Sequence, residues 1–573
     1  MQASYVPVSN KQSRDFGKTF GLVAILTVFS KLVGFVRDLV VAGAYGTGAL
    51  ADAYNFAYLF TGNVLILFGG LGGPFHSATV TVLTREKDKA DSGLLMAQVL
   101  AATSVLLGIL SVALFLLAPW MLQIAELKGW HYNGADANLF YDQFILQLRW
   151  MSPLILISGL IGVTYGILNV FNRVTWPSLS PIIASLAIII ALQVYPDHST
   201  SLPLAIATLV GAFGQLAAQL PDLSKCKLPW RLSLTPHPEL KHYLAMLWPA
   251  AMGTLIGQVT TYIDAGFCGQ IGEGIFTSII NANRLAQLPL GILTTAMLVP
   301  MLPRFSELAH AQDFDGLKID YRRALRFMVF LSIPLTALLI TLPGPIVQTL
   351  FQRGAFTARS TALVASALLF LAPQIPFYVG RDLITRVFYA MKNAKTPYYV
   401  AIVAIAVKTI LDWLVVYAFP LVAPKLGLDP SAPDFQIYQV AGMSLATTII
   451  TVMNLLLLSL VLQKDIGLLG LRKTIKPLFL MGIAGTLCGA LSYFVFTGLM
   501  HQFGLPDAST GIHLLGRAFK LTTLTEALYI AISCAIGLLA YFGTCLMCKL
   551  EELDMLAKRL PGPLSKLLRS NKE

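Results

Sequence analysis

Long apolar runs recur fourteen times along this chain, and no other feature constrains its fold as tightly. A helix needs roughly 20 apolar residues to cross a hydrocarbon layer about 30 Å thick, and lipid offers no partner to a free backbone amide. The runs lie near 20–42, 52–82, 93–118, 144–168, 177–195 and 202–221, then near 243–269, 276–303, 325–343, 360–390, 397–420 and 437–462, with two more near 477–499 and 522–546. The expected fold is all-α and polytopic, with about 14 transmembrane helices. Two pseudo-symmetric six-helix lobes, 1–222 and 243–463, flank a cytoplasmic linker at 223–242; two additional helices at 477–546 and a basic tail at 547–573 complete the expected organisation. Charged residues make up only 12% of the chain, about half the share in a soluble domain. The net charge of +12 would suit nucleic acid. The basic residues, however, sit in short segments between apolar runs, so membrane topology accounts for them and no nucleic-acid partner is expected.

Sidedness follows from the positive-inside rule. With a cytoplasmic N-terminus, about 28 basic residues fall inside and about 6 outside, the bias expected of fourteen helices with both termini in the cytoplasm. The first 19 residues are polar and the apolar run after them lacks a small-residue cleavage site, so the first helix is expected to be retained.

The two sets of six helices repeat one another. At an offset of 226, Asp38 meets Asp264, Gly46 meets Gly272, Gly48 meets Gly274 and Asn55 meets Asn281. Farther on, LNVFNRVTWP (168–177) resembles VFYAMKNAKTP (387–397), each with an aromatic, a basic residue and an asparagine before a proline. Both copies fall on the same side of the membrane, which predicts a parallel repeat of the kind found in alternating-access transporters.

Seven basic residues remain at membrane depth: Lys31, Arg37, Arg149, Arg284, Arg381, Arg386 and Lys408. Asp38, Asp264, Asp382 and Asp52 share that depth or its edge. Charge in a membrane helix is costly and normally faces a cavity or a partner. A net basic cavity favours an anion, and the guanidinium fork suits phosphate or carboxylate. The alternative is that each charge is paired, Arg37 with Asp38 or Arg381 with Asp382, or reaches an interface. In 280–293, INANRLAQLPLGIL, residues Asn281, Asn283, Arg284 and Gln287 share one helix face, and Pro289 with Gly291 is expected to break the helix beside them. LFGGLGGPF, 67–75, predicts a kinked second helix able to act as a hinge.

Catalytic and metal signatures are missing. None of the eight histidines forms H-E-x-x-H, and there is no G-x-S-x-G and no phosphate-loop sequence, so neither an enzyme nor a metal site is expected. The C-x-x-C of Cys545 and Cys548 reads as small buried side chains near a helix end. Without a nucleotide motif, transport would need no cofactor and would draw on the membrane potential or a monovalent ion.

SKLVGFVRDLVVAGAYGTGALADAY resembles the first-helix signature of the MviN/MurJ family, flippases of the peptidoglycan precursor lipid II within the superfamily of multidrug and polysaccharide exporters. NRLAQLPLGIL, LFQRGAFT and VFYAMKNAKTP resemble its later signatures, in order along nearly the whole chain. The resemblance implies a cationic cavity for a diphosphate-sugar head group and a groove for a polyprenyl tail on the last two helices. It implies substrate binding by Arg37, Arg284 and Lys31, with Asn283 and Gln287 nearby, and gating or charge-partner roles for Asp38 and Asp52; Asn55, Asn281 and Arg386 are secondary candidates. The implied partners are lipid II or a related polyprenyl-diphosphate saccharide, membrane lipids and the cell-wall synthesis machinery, at the bacterial cytoplasmic membrane. Three departures stand out: Asn283 and Gln287 replace an acid pair that flanks the family's second-lobe arginine, and two more concern the first lobe. The family usually has arginine where Lys31 stands, and charges common in its second helix are missing from NVLILFGGLGGPF. The alternative reading is a cation-coupled multidrug or polysaccharide-lipid exporter of the same superfamily.

Overall fold

The structure, a computed structural model, describes residues 10–70, 73–127, 132, 136–231, 233, 235–256, 258–432, 434–470, 472–504, 511–514 and 517–557, with backbone alone at 10–25, 66–67, 122–127, 253–256, 292–300, 473, 511–521 and 557. The tail from 558 onward, Lys128, and Leu71 and Gly72 of the 69–73 glycine run lie outside the described residues.

Helix dominates. The first half runs α1 (Asn10–Tyr45), α2 (Ala49–Gly69), α3 (Pro74–Glu86), α4 (Ser92–Leu127), α5 (Ala137–Met151), α6 (Leu154–Val170), α7 (Thr175–Val194), α8 (Leu202–Ala217) and α9 (Leu220–Ser224). It continues with α10 (Pro238–Ile256), α11 (Val259–Ile271), α12 (Ile275–His310), α13 (Phe314–Thr341), α14 (Pro343–Phe351), α15 (Ala358–Leu371), α16 (Gln374–Ala390) and α17 (Lys395–Trp413). A π turn at Leu414–Ala418 leads into α18 (Phe419–Val422), then α19 (Phe435–Ile466) and α20 (Arg472–Phe503). An antiparallel hairpin, β1 (Gly511–Leu514) with β2 (Arg517–Lys520), pairs Gly511 with Lys520 ahead of α21 (Leu521–Met547) and α22 (Glu551–Ala557).

Each expected run is helical, but the count of fourteen spans is not confirmed. Among the described residues nine helices are long and apolar enough to cross a membrane, or ten if the pair α15 and α16, bent by 50°, is one span. Each of the four remaining runs, in α1, α2, α10 and α12, includes positions whose side chains lie outside the described residues. The glycine run does interrupt the second expected helix, between α2 and α3. Pro289 and Gly291 do not interrupt the eighth: α12 is continuous from Ile275 to His310, as membrane helices tolerate proline when neighbouring groups re-satisfy the backbone.

Helix boundaries obey the repeat. Tyr45 ends α1 and Ile271 ends α11, while Ala49 and Ile275 start α2 and α12, all at the offset of 226 read from the glycines. The second motif pair gives an offset of 220: α6 and α16 both start after a Ser/Ala-Pro step, and α7 and α17 both follow a four-residue turn. Each turn places one residue in the left-handed region, Asn172 at φ 57° and Lys392 at φ 59°. In each, the next amide returns to the helix before it, Arg173 to the Leu168 carbonyl at 2.8 Å and Asn393 to the Phe388 carbonyl at 2.9 Å.

The chain divides into two compact units, Met1–Thr277 and Ser278–Glu573. In the first, a core of Phe68, Phe75, Leu83, Met96, Val163 and Ile167 takes in Tyr243 and Leu247 of α10, and the Tyr243 and Thr79 hydroxyls lie 3.3 Å apart. Lipid supplies little drive for helices to associate, so small residues that let backbones approach decide the packing. A Cβ on Gly162 of α6 would stand 2.5 Å from the Phe68 carbonyl oxygen, and one on Gly166 2.5 Å from Thr79 Cβ. In the second unit α20 and α21 pack on each other and on α13. Tyr541 donates to the Phe330 carbonyl at 2.8 Å, and Arg326 holds α22 through ion pairs to Glu551, at 3.5 Å, and to buried Glu552.

Candidate functional site

The expected site residues fall into two groups, one in each unit. In the first unit Arg37 and Asp38 are adjacent on α1 and bind each other: Arg37 Nε and Nη2 both donate to Asp38 Oδ1, at 3.0 and 2.7 Å. Pairing of this kind is what a charge at membrane depth demands. It uses one edge of the guanidinium, and Nη1 has no hydrogen-bond partner among the described residues; the side chain is 24% exposed. Lys31, about two turns earlier, is exposed and makes no ion pair among the described residues.

Asp52 has a different setting. It sits in the first turn of α2, fully buried, and accepts four hydrogen bonds. Oδ1 takes Thr277 N at 3.0 Å and Thr277 Oγ1 at 2.6 Å; Oδ2 takes Gly274 N at 2.7 Å and Tyr132 Oη at 2.9 Å. Gly274 N, one residue ahead of α12, and Thr277 N, in its first turn, have no partner within that helix, so Asp52 caps it from a distance. The favour is returned. Glu273 Oε1 accepts from Ala49 N, the first amide of α2, at 2.9 Å. Two repeat-related helix starts are thus capped by carboxylates supplied from each other. Asn55 joins the network by donating to Thr277 Oγ1 at 3.0 Å. The connecting turn requires glycine: Gly274 has φ +81°, and a Cβ there would stand 2.3 Å from the Thr47 carbonyl oxygen.

In the second unit the polar residues of α12 lie on one side but at graded depth. Asn281 is buried and accepts from Arg284 Nη1 at 3.3 Å, Asn283 and Arg284 are half-buried, and Gln287 is exposed. Arg386 pairs with Asp382 at 3.5 Å on α16. Arg381, expected as the partner of that aspartate, instead lies over the Tyr378 ring at 4.1 Å. One turn of helix separates residues 382 and 386, so Arg386 reaches the carboxylate. Arg149 stacks on Phe115 at 5.6 Å.

Four partners escaped the sequence reading: Tyr132, Glu273, Thr277 and Asp412. Asp412 takes Lys408 Nζ on both oxygens at 2.7 Å, and its spacing of four from that lysine in KTILD was the available signal. Among the described residues no group of three or more His, Cys, Asp or Glu is placed to hold a metal ion.

Comparison with known proteins gives a consistent answer. The family described as lipid II flippase MurJ matches residues 41–507. A probable lipid II flippase MurJ of Synechocystis is 34% identical over 424 residues, 71% of this chain and 77% of that protein. A lipid II flippase MurJ of Burkholderia cenocepacia is 28% identical over 408 residues, 69% of this chain and 77% of that protein. Among solved structures, a lipid II flippase MurJ in an inward closed conformation matches with a TM-score of 0.67 at 22% identity, covering 91% of this chain and 98% of that one. An inward-facing multidrug resistance transporter of the MATE family and MOP superfamily matches at 0.60 and 15% identity, over 79% of this chain and 99% of that one; these two likenesses concern the fold. The chain therefore belongs to the lipid II flippase MurJ family.

Proposed function

We propose that this protein moves lipid II from the cytoplasmic to the outer leaflet by alternating access, as a transporter without nucleotide hydrolysis, in a bacterial cytoplasmic membrane with both termini inside. The observation that carries the reading is the mostly buried Arg37 guanidinium, tied to Asp38 along one edge with Nη1 lacking a hydrogen-bond partner among the described residues. A diphosphate oxygen fits that remaining edge, since charge-assisted bonds from guanidinium to phosphate are short and strong. Lys31 adds an exposed ammonium on the same helix, and Arg284 of α12, with Asn283 and Gln287, supplies the second lobe's contribution. Asp38 holds Arg37 in orientation, and Asp52 serves the gate by tying the start of α12 to α2, with Asn55 supporting it. Asn281 orients Arg284, and Arg386 is a secondary site. The lobes 1–222 and 243–463 carry the head group, and the helices of 477–546 offer apolar surface to the polyprenyl tail, with Phe479, Phe494, Leu528 and Leu539 exposed.

Complementation of a flippase-depleted strain tests this. Arg37→Ala and Arg284→Ala should each abolish growth while the protein still reaches the membrane, and native mass spectrometry should lose the lipid II adduct in Arg37→Ala. Normal growth of either variant removes that residue from the site.

A further inference from the structure

One pair of intramembrane charges has no part in binding the head group. Lys408 and Asp412 lie four residues apart on α17, 1% and 0% exposed, with Nζ 2.7 Å from both carboxylate oxygens. They occupy the buried stripe of an otherwise lipid-facing helix, between Ala404 and Val416, and the π turn Leu414–Ala418 follows within two residues. Single π turns inside α-helices recur at functional sites.

The repeat supplies a control within the same chain. At the offset of 220 that superposes α7 on α17, Lys408 corresponds to Ile188 and Asp412 to Leu192, and both of these are buried, 2% and 4% exposed. The fold fills the same two positions with hydrocarbon in its first half. Buried ion pairs are often no more stabilising than apolar side chains of similar size, because the desolvation of both charges offsets their attraction. Packing therefore does not explain the pair. Head-group binding does not explain it either, because the ammonium is sealed from the surface and both carboxylate oxygens already engage it.

A carboxylate at this depth needs a cation. In a transporter lobe such a group is suited to a mobile monovalent cation, whose binding could bias the conformational equilibrium. Here the charge is covalently attached. We propose that the Lys408 ammonium is a tethered cation that occupies the place of a coupling ion at Asp412, so that this lobe cycles without binding Na⁺ or K⁺ there. Both groups sit on one helix, so the pair survives rigid-body movement and adds no charge transfer across the membrane. The energetic consequence, that no ion gradient is coupled through Asp412, rests on the flippase reading; occupancy of the carboxylate does not.

The test uses purified full-length protein and its unfolding temperature in NaCl, KCl and choline chloride at equal ionic strength. Wild type should be indifferent to the cation. Lys408→Ala should unfold several degrees lower in choline and recover in a saturable way with Na⁺ or another small monovalent cation. The double variant Lys408→Ala/Asp412→Asn, which mimics the neutral pair of α7, should fold and be indifferent again. A saturable Na⁺ stabilisation of wild type that Asp412→Asn removes would overturn the proposal, as would a Lys408→Ala protein stabilised by acid but by no cation. If Lys408→Ala cannot be purified, the wild-type and double-variant measurements still decide, because cation-specific stabilisation of either refutes the tethered charge. Loss of lipid II binding with these results unchanged would refute only the transport reading.

Discussion

Replacing Asp52 by asparagine is the sharpest probe of the reciprocal caps, because it preserves shape and removes only charge and acceptor capacity. The carboxylate accepts from Gly274 N, Thr277 N, Thr277 Oγ1 and Tyr132 Oη. An asparagine keeps one acceptor oxygen and turns an amide NH₂ toward the other pair of donors. Tyr132 or the Thr277 hydroxyl can rotate to accept, but a backbone amide cannot, so either Gly274 N or Thr277 N is orphaned in either orientation. An orphaned buried amide costs about 1–3 kcal/mol, and bonds that fall from charged to neutral strength lose about 1 kcal/mol each. Relief of the buried charge returns part of this. The expected net loss is about 2–4 kcal/mol, with Tyr132→Phe alone costing about 1 kcal/mol because the other three donors remain. The assay is thermal unfolding of purified protein, followed by tryptophan fluorescence, run as a double-mutant cycle. Asp52→Asn and Tyr132→Phe should be less than additive, since the first change already weakens the bond that the second removes. An unfolding temperature for Asp52→Asn equal to wild type, or full additivity in the cycle, would refute the capping argument.

Other perturbations reach separate parts of the same argument. Gly274→Ala should lower membrane yield severely, since φ +81° costs a non-glycine residue about 1–2 kcal/mol before the clash with Thr47 is counted; immunoblots of membrane fractions measure it. Gly162→Ala should destabilise the first unit by about 1–3 kcal/mol through overpacking against Phe68 and Phe75, read as a lower unfolding temperature, and an unchanged value would mean that α6 is looser there. Arg326→Ala leaves Glu552 buried and uncompensated, a loss of about 3–5 kcal/mol for such a pair; limited proteolysis should then cut near α22 sooner than in wild type.

The sequence carried the helices and the repeat because both are written in local patterns. Apolar runs mark spans, and Gly46, Gly272 and Gly274 mark turns whose geometry needs positive φ. The number of spans was less legible, since the second expected run carries Asp52 and stops as α2 at Gly69. Caps formed across long separations were illegible. Asp52 meets Tyr132 80 residues away and Gly274 222 residues away, and no periodicity announces such a meeting. Asp412 was readable from its spacing to Lys408, but the hydropathy of its run concealed it.

The two halves share a backbone and differ in where they put charge. Arg37 corresponds to Ile263 at the offset of 226, and Arg284 to Tyr58, so each half carries a cation on a different helix of the repeat. Lys408 and Asp412 correspond to Ile188 and Leu192, so the second half alone holds a sealed ion pair on this stripe. A duplicated scaffold under no functional demand would retain matching apolar positions, because those pack as well and carry no desolvation cost. Replacing matched apolar positions by charge on one half alone therefore calls for a functional reason, not a packing one. The acidic position does not follow this pattern: Asp38 and Asp264 match at the same offset, so the halves differ in their cations and share this carboxylate.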